Sequence, residues 1–317
     1  MTNSCTQCFA CDSDEFEYPY ERAIKLGHIE CLINSLKNET SNFDFYCIRA
    51  CEIAASQGNL ECLQAVLELG PEQIYIHQSK MCILAVENGH IECLKYAHQK
   101  GCMLDEFTMA VAATKGRIDC IKYLHENGCP WSEITMERAA GGGNMECIKY
   151  LHKNGCPWDE KATGSCRSIE ALKYMHENGC PWNESTPHHA AILGDLDMLK
   201  YAYINGCPWD IRTTRAAACF GHLSCLEFAH KNGCHINMEV SEMAYHNSMN
   251  GATDCLFYLK LNKCPMRHYI VQQFWNTCGA KWWAAHKIAS AWKNTYWSPY
   301  TTIGYKRLMR TFHELTN

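Results

Sequence analysis

The chain has 317 residues, 47% hydrophobic and 20% charged, with a formal net charge of −5; this is the balance of an ordinary soluble globular protein. No stretch approaches eighteen uninterrupted apolar residues, so no membrane-spanning helix is expected. The charge is unevenly placed, with +6 on residues 265–317 and −11 on the rest.

Residues 1–17, MTNSCTQCFACDSDEFE, lack a basic segment followed by an apolar run. No secretory signal is therefore expected, and the cytoplasm is the expected location. Cys5, Cys8 and Cys11 have metal-like spacing, but zinc takes four ligands and no fourth stands beside them. The segment reads as a disordered leader, with those three cysteines kept only as a candidate metal set.

From residue 18 a period governs the sequence. Aligned on Cys31, Cys62, Cys93, Cys120, Cys147, Ala171, Met198, Cys225 and Cys255, successive units are 31, 31, 27, 27, 24, 27, 27 and 30 residues apart. Leu or Ile follows each anchor, an acid precedes eight of the nine, and apolar residues recur two before and four after. Those offsets form one stripe of a three-turn helix, with the acid at the positive end of its dipole. Asn-Gly closes most copies, as at Asn127-Gly128, where glycine suits a left-handed cap.

A shorter helix precedes each of these. Thr108, Thr135, Thr186 and Thr213 stand eight residues before the opening glycine of the next helix. Each precedes an Ala-Ala pair, such as Ala112-Ala113 or Ala217-Ala218. Threonine is read as the N-cap, Pro187 as the first helical residue, and the alanines as points of close helix approach. The unit between Cys147 and Ala171 is three residues short and lacks the alanine pair, so its first helix is expected to be little more than one turn. In the last unit Asn247 and Ser248 are read at the alanine positions, and Lys260 replaces a recurrent histidine.

Thr186-Pro187-His188-His189-Ala190-Ala191, Gly221-His222-Leu223-Ser224-Cys225-Leu226 and the Asn-Gly ends resemble the ankyrin repeat. Units of 27 residues are shorter than the usual 33, with Cys-Pro-Trp in the gap, as at Cys129-Pro130-Trp131. This compact form is similar to arrays of large DNA viruses and protists. The resemblance spans residues 18–264. It implies an all-α ankyrin-like solenoid of about nine helix-turn-helix repeats, with short turns in place of full β-hairpins. It also implies a non-enzymatic scaffold for protein–protein interaction, and a host-cytoplasmic location if the source is viral.

Fourteen of the 23 cysteines fall at two repeat positions. Ala171 and Met198 replace the anchor cysteine without disturbing the register, so cysteine is read as a small buried hydrophobe. His98, His125, His152, His176 and His230 form a ladder with steps of about 8–10 Å, the helix-packing distance, too wide for one zinc ion. Hydrogen bonding near the Asn-Gly cap is expected of them. Trp131, Trp158, Trp182 and Trp209 are read as packing their turns against the helices. No phosphate loop, dinucleotide fingerprint, nucleophile elbow or zinc-protease motif is present. No catalytic residue, cofactor or small-molecule substrate is assigned.

Positions that repeat build the frame, and positions that vary are candidates for contact. Those after the first-helix threonine vary, which nominates Met109, Val111, Glu137, Arg138, His188, His189, Thr214 and Arg215 for a protein partner, read by a monomeric array. Residues 265–317 hold seven basic residues against Glu314, and Trp275, Trp282, Trp283, Trp292 and Trp297. They are read as a C-terminal cap, or as a tail for an acidic partner. One alternative is a substrate adaptor whose tail docks a ubiquitin ligase; another is a tether to nucleic acid or a membrane surface.

Overall fold

The computed structural model describes residues 18–38, 42–70, 79–246 and 253–272. Among these every regular element is an α-helix, eighteen named below and a further helical run at 268–272, and none is long and apolar enough to cross a membrane. The leader with Cys5, Cys8 and Cys11, the five tail tryptophans, Asn247 and Ser248 lie outside the described residues.

The helices fall into two compact units, divided between Ala162 and Thr163. Unit one holds the first helices α1 (Pro19–Leu26), α3 (Phe43–Gln57), α5 (Lys80–Asn88), α7 (Glu106–Lys115) and α9 (Glu133–Gly142). Between them run the second helices α2 (Ile29–Asn38), α4 (Leu60–Leu69), α6 (Ile91–Gln99), α8 (Ile118–Glu126) and α10 (Met145–Lys153). The short α11 (Glu160–Gly164) falls at the division. Unit two continues with second helices α12 (Ile169–Glu177), α14 (Leu196–Ile204), α16 (Leu223–Lys231) and α18 (Thr253–Leu261), and first helices α13 (Ser185–Leu193), α15 (Ile211–Cys219) and α17 (Met238–His246). Within each unit first helices pack on first helices and second on second, the two-layered stack of an ankyrin-like solenoid.

The core of that stack is made of the repeated residues. Anchors Cys62, Cys93, Cys120 and Cys147, the Leu or Ile that follows each, and the alanine pairs are buried. Most first helices end on glycine: at Gly116 φ is 67°, and its own amide and that of Arg117 return to the Ala113 and Ala112 carbonyls, a left-handed cap that a Cβ would strain. Gly142 serves close approach instead, since a Cβ there would collide with the Thr114 carbonyl oxygen on α7. The unit that is three residues short loses them from α11, whose five residues compare with nine or ten in α7, α9, α13 and α15.

Three sequence readings need correction. The recurrent threonines are not N-caps; Thr108, Thr135 and Thr213 are the third residues of their helices, Thr186 the second, and all four are fully buried. The cap is the polar residue that ends the Cys-Pro-Trp turn or its equivalent. Asp105, Ser132 and Asp210 accept from the first-turn amides of Thr108, Ile134 and Arg212, and Asn183 accepts from the Ser185 amide. Ser132 and Thr135 form a capping box: the threonine hydroxyl reaches back to the cap as a Glu would at that position. Pro187 is accordingly third in α13, still within the first turn where its missing amide costs nothing. Finally, Asn237 accepts from the Val240 amide, which sets Ala244 and Tyr245 at the paired-alanine positions. The extra residues of this repeat therefore lie between α17 and α18.

Candidate interaction surface

Removing the frame from the surface isolates what can vary for recognition. The histidine ladder is frame. His98, His125, His176 and His230 use Nδ1 to bond the hydroxyls of Tyr123, Tyr150, Tyr201 and Tyr258, at 2.8, 3.1, 3.0 and 2.8 Å. Each bond ties one second helix to the next, rather than to the Asn-Gly cap that the sequence suggested. There the asparagines cap for themselves: Asn127 Nδ2 donates to the Tyr123 carbonyl at 2.8 Å. The tryptophans are frame as well. Trp131, Trp158 and Trp182 stack on His125, His152 and His176 at centroid distances of 4.1, 4.1 and 3.8 Å.

The second recurrent cysteine bonds into the turns. Cys129, Cys156, Cys207, Cys234 and Cys264 thiols donate to the carbonyls of Asp105, Ser132, Asn183, Asp210 and Asn237, at 3.2, 3.5, 3.4, 3.1 and 3.2 Å. Each acceptor is the polar residue that opens the previous first helix. None of the described cysteines is in a disulfide and, except for half-buried Cys219, all are buried. Burial pushes the Cys129, Cys147, Cys156, Cys207 and Cys225 thiols up to about 12.

The nominated contact residues divide by depth. Met109 and Thr214 are fully buried and leave the candidate surface: one helical position after a threonine on the core side is still inside. Thr214 is occupied there, donating to the His235 carbonyl at 2.7 Å. In unit one Val111 and Glu137 are half-buried and Arg138 is exposed. In unit two His188, His189 and Arg215 are half-buried, and Arg215 pairs with Glu239 at 3.4 Å. His188 Nδ1 meets the Arg212 carbonyl at 3.1 Å. His189 Nε2 is buried without a partner, and burial, then Arg167 and His188, hold its imidazole below the ordinary value.

Other exposed side chains of unit one were missed by starting after the threonine. Phe107 and Ile134, one residue before Thr108 and Thr135, are 61% and 50% exposed, and Met103 in the preceding turn is 54% exposed. The signal was present in the sequence, since the equivalent positions in α3 and α5 hold Arg49 and Lys80 instead of apolar residues. Those two cations flank Glu52, which is only 5% exposed. Arg49 donates to Glu52 Oε2 at 2.8 Å and Lys80 lies 2.9 Å from Oε1. Around them an open depression of about 390 Å³ has Ile53 and Leu84 in its lining and Glu21 on the α1 side.

A model of the family "Ankyrin repeats", in three copies, matches residues 51–138. No curated protein matches the chain. Among solved structures the crystal structure of the human ASB11 ankyrin repeat domain is similar, at 17% identity over 59% of this chain and 84% of that one, with a TM-score of 0.37. The matched residues 51–138 include Glu52, Lys80, Phe107 and Ile134.

Proposed function

We propose that the chain is a non-enzymatic scaffold that recognises a protein partner through the first-helix side of its repeats. Ankyrin repeats generally mediate protein–protein interaction, and residues 51–138 match that family. The observation that carries the reading is the exposed set Phe107, Ile134 and Met103 on repeats whose frame positions are otherwise satisfied internally. Large apolar side chains grouped on a surface mark interaction sites far more than scattered ones do. Apolar and charged residues alternate between repeats on that side, while the histidine, tyrosine, tryptophan and cysteine positions described above are occupied by internal contacts.

Capture from cell extract tests this with the full chain, wild type beside Phe107→Asp/Ile134→Asp. Proteins retained by the wild type and lost by the variant, with the same circular dichroism melting curve for both, are the expected result. An identical retained set from both proteins would overturn the reading.

A further inference from the structure

We infer that Arg49, Lys80, Phe107 and Ile134 form a single reading row for an extended protein segment with two acidic residues at one end and two large apolar ones at the other, at intervals of three. The inference rests on the proposed function and deepens it by naming the chemistry of the partner.

The row follows from register. Each of the four stands nine residues before the left-handed glycine that ends its helix: Gly58, Gly89, Gly116 and Gly143. The helices α3, α5, α7 and α9 are consecutive neighbours within unit one, so equivalent positions repeat at the helix-packing distance, about 8–10 Å. A polyproline II segment advances about 9.3 Å per three-residue turn and returns every third side chain to the same side. A β-strand covers a similar distance in three residues, but turns the first and fourth side chains to opposite faces. A helix needs six residues or more for about the same advance. The spacing therefore selects a polyproline II partner.

The chemistry of the row sets the order of residues. Glu52 is almost wholly buried and gives one oxygen to each cation, so Arg49 and Lys80 are fixed in place before any partner arrives. Glu52 offsets one of the two positive charges, and Glu21 lines the same depression at its α1 end. The two side chains remain 43% and 57% exposed, with donors free to meet a partner carboxylate. Repulsion from Glu21 keeps partner carboxylates on the Arg49 and Lys80 side of the depression. Along the row the surface turns apolar at Phe107 and Ile134, with Met103 nearby. Glu106 and Glu133 immediately precede those two side chains in sequence, so an acid placed there meets repulsion. Acids fit one half of the row and large apolar groups the other.

Fluorescence anisotropy with the full chain and a labelled peptide tests this, using Asp-Pro-Pro-Glu-Pro-Pro-Phe-Pro-Pro-Leu and the same residues in reverse order. One of the two orders should bind. Replacing its acids by Asn and Gln, or its Phe and Leu by Ala, should each weaken binding about tenfold or more. These changes leave the protein untouched, which matters because removing Arg49 and Lys80 strands a buried carboxylate. The Phe107→Ala/Ile134→Ala protein should no longer distinguish the Phe/Leu peptide from the Ala peptide. Failure of both orders to bind, or equal binding of acidic and amide peptides, overturns the inference. If extract proteins are nevertheless lost by the Phe107→Asp/Ile134→Asp protein, the inference alone has failed and the scaffold reading stands.

Discussion

Tyr203 stands where five other second helices of the array carry histidine, and the residue that should meet it in the next helix is Phe228 rather than tyrosine. The hydrogen bond is absent at that rung, and the rings meet edge-on at 5.6 Å, with Tyr203 also stacked on Trp209. Both partners changed together, so the rung is a matched pair rather than two independent preferences. Tyr150→Phe removes the hydroxyl that bonds His125 and should lower stability by about 0.5–1.5 kcal/mol in urea unfolding. Tyr203→His with Phe228→Tyr should be more stable than the two single changes predict, by about 0.5–1 kcal/mol. Strict additivity would mean that the bond between helices contributes nothing. The ladder itself was legible in the sequence, but its partner was not, because the tyrosine lies a full repeat away. Only the common offset of histidine and tyrosine from the anchor could have revealed it.

The cysteines give a second residue-scale prediction, with its sign fixed by linkage. In the folded chain Cys129, Cys147, Cys156, Cys207 and Cys225 keep their protons up to about pH 12, whereas an unfolded thiol loses its proton near 8.5. Their protonated form contributes its full stability below about pH 8.5; that contribution falls as pH rises toward 12, because the unfolded chain then binds fewer protons. Each such thiol weakens folding by about 1.4 kcal/mol per pH unit within that window. Urea midpoints should hold steady from pH 7 to 8 and drop steeply from pH 9 to 11. Native thiol labelling at pH 7.5 should be slow until urea opens the array, and non-reducing electrophoresis should show no disulfide among the repeat cysteines. A flat midpoint through pH 11 would contradict the burial described for these groups.

At the scale of elements, the second helices were the most legible because stripe, acid and Asn-Gly end agree with one another. First helices were harder. Their threonines had the chemistry of a cap, yet Asp105, Ser132 and Asp210 hold the position three residues earlier. A capping box contains two polar residues, and sequence alone does not say which one is outside the helix. α11 was foreseen because a three-residue deletion must remove almost one turn somewhere, and Gly164 and Ser165 disfavour helix. Its amides should show the weakest hydrogen-exchange protection among the described helices away from the chain ends. Protection equal to that of α9 or α13 would refute this. Gly142→Ala tests helix approach at the same scale. The added methyl meets the Thr114 carbonyl on α7 and should cost about 1–3 kcal/mol, whereas Gly128→Ala, with open space around it, should show only the left-handed strain of about 1 kcal/mol.

At the scale of the whole molecule, the last repeat must be covered. Terminal repeats of a stack need cover on the side where no neighbour follows. In α18 Phe257 occupies the place held by Lys95, Lys122, Lys149, Lys173 and Lys200 in earlier second helices, so this helix is apolar where the others are charged. Immediately beyond it, residues 265–272 pack on α17: Ser241 donates to the Pro265 carbonyl at 2.9 Å, Arg267 pairs with Glu242, Tyr269 meets Tyr245 edge-on, and Ile270 is fully buried. Two truncations therefore separate two roles. Ending the chain after Cys264 removes these contacts and should destabilise α17 whatever the remaining tail does. Ending it after Gln272 removes only residues 273–317, with their five tryptophans and six basic residues against one acid. Each tryptophan can bury about 150–250 Å², while screened surface charge pairs contribute about 0–1 kcal/mol. If the tail is a cap, apolar cover dominates: the chain ending at Gln272 should melt lower and aggregate, and the full chain should keep its advantage in 0.5 M salt, where the Debye length is only about 3–10 Å. If the shortened chain melts unchanged and stays soluble, the tail is no cap, and its basic, aromatic surface is then available for an acidic partner.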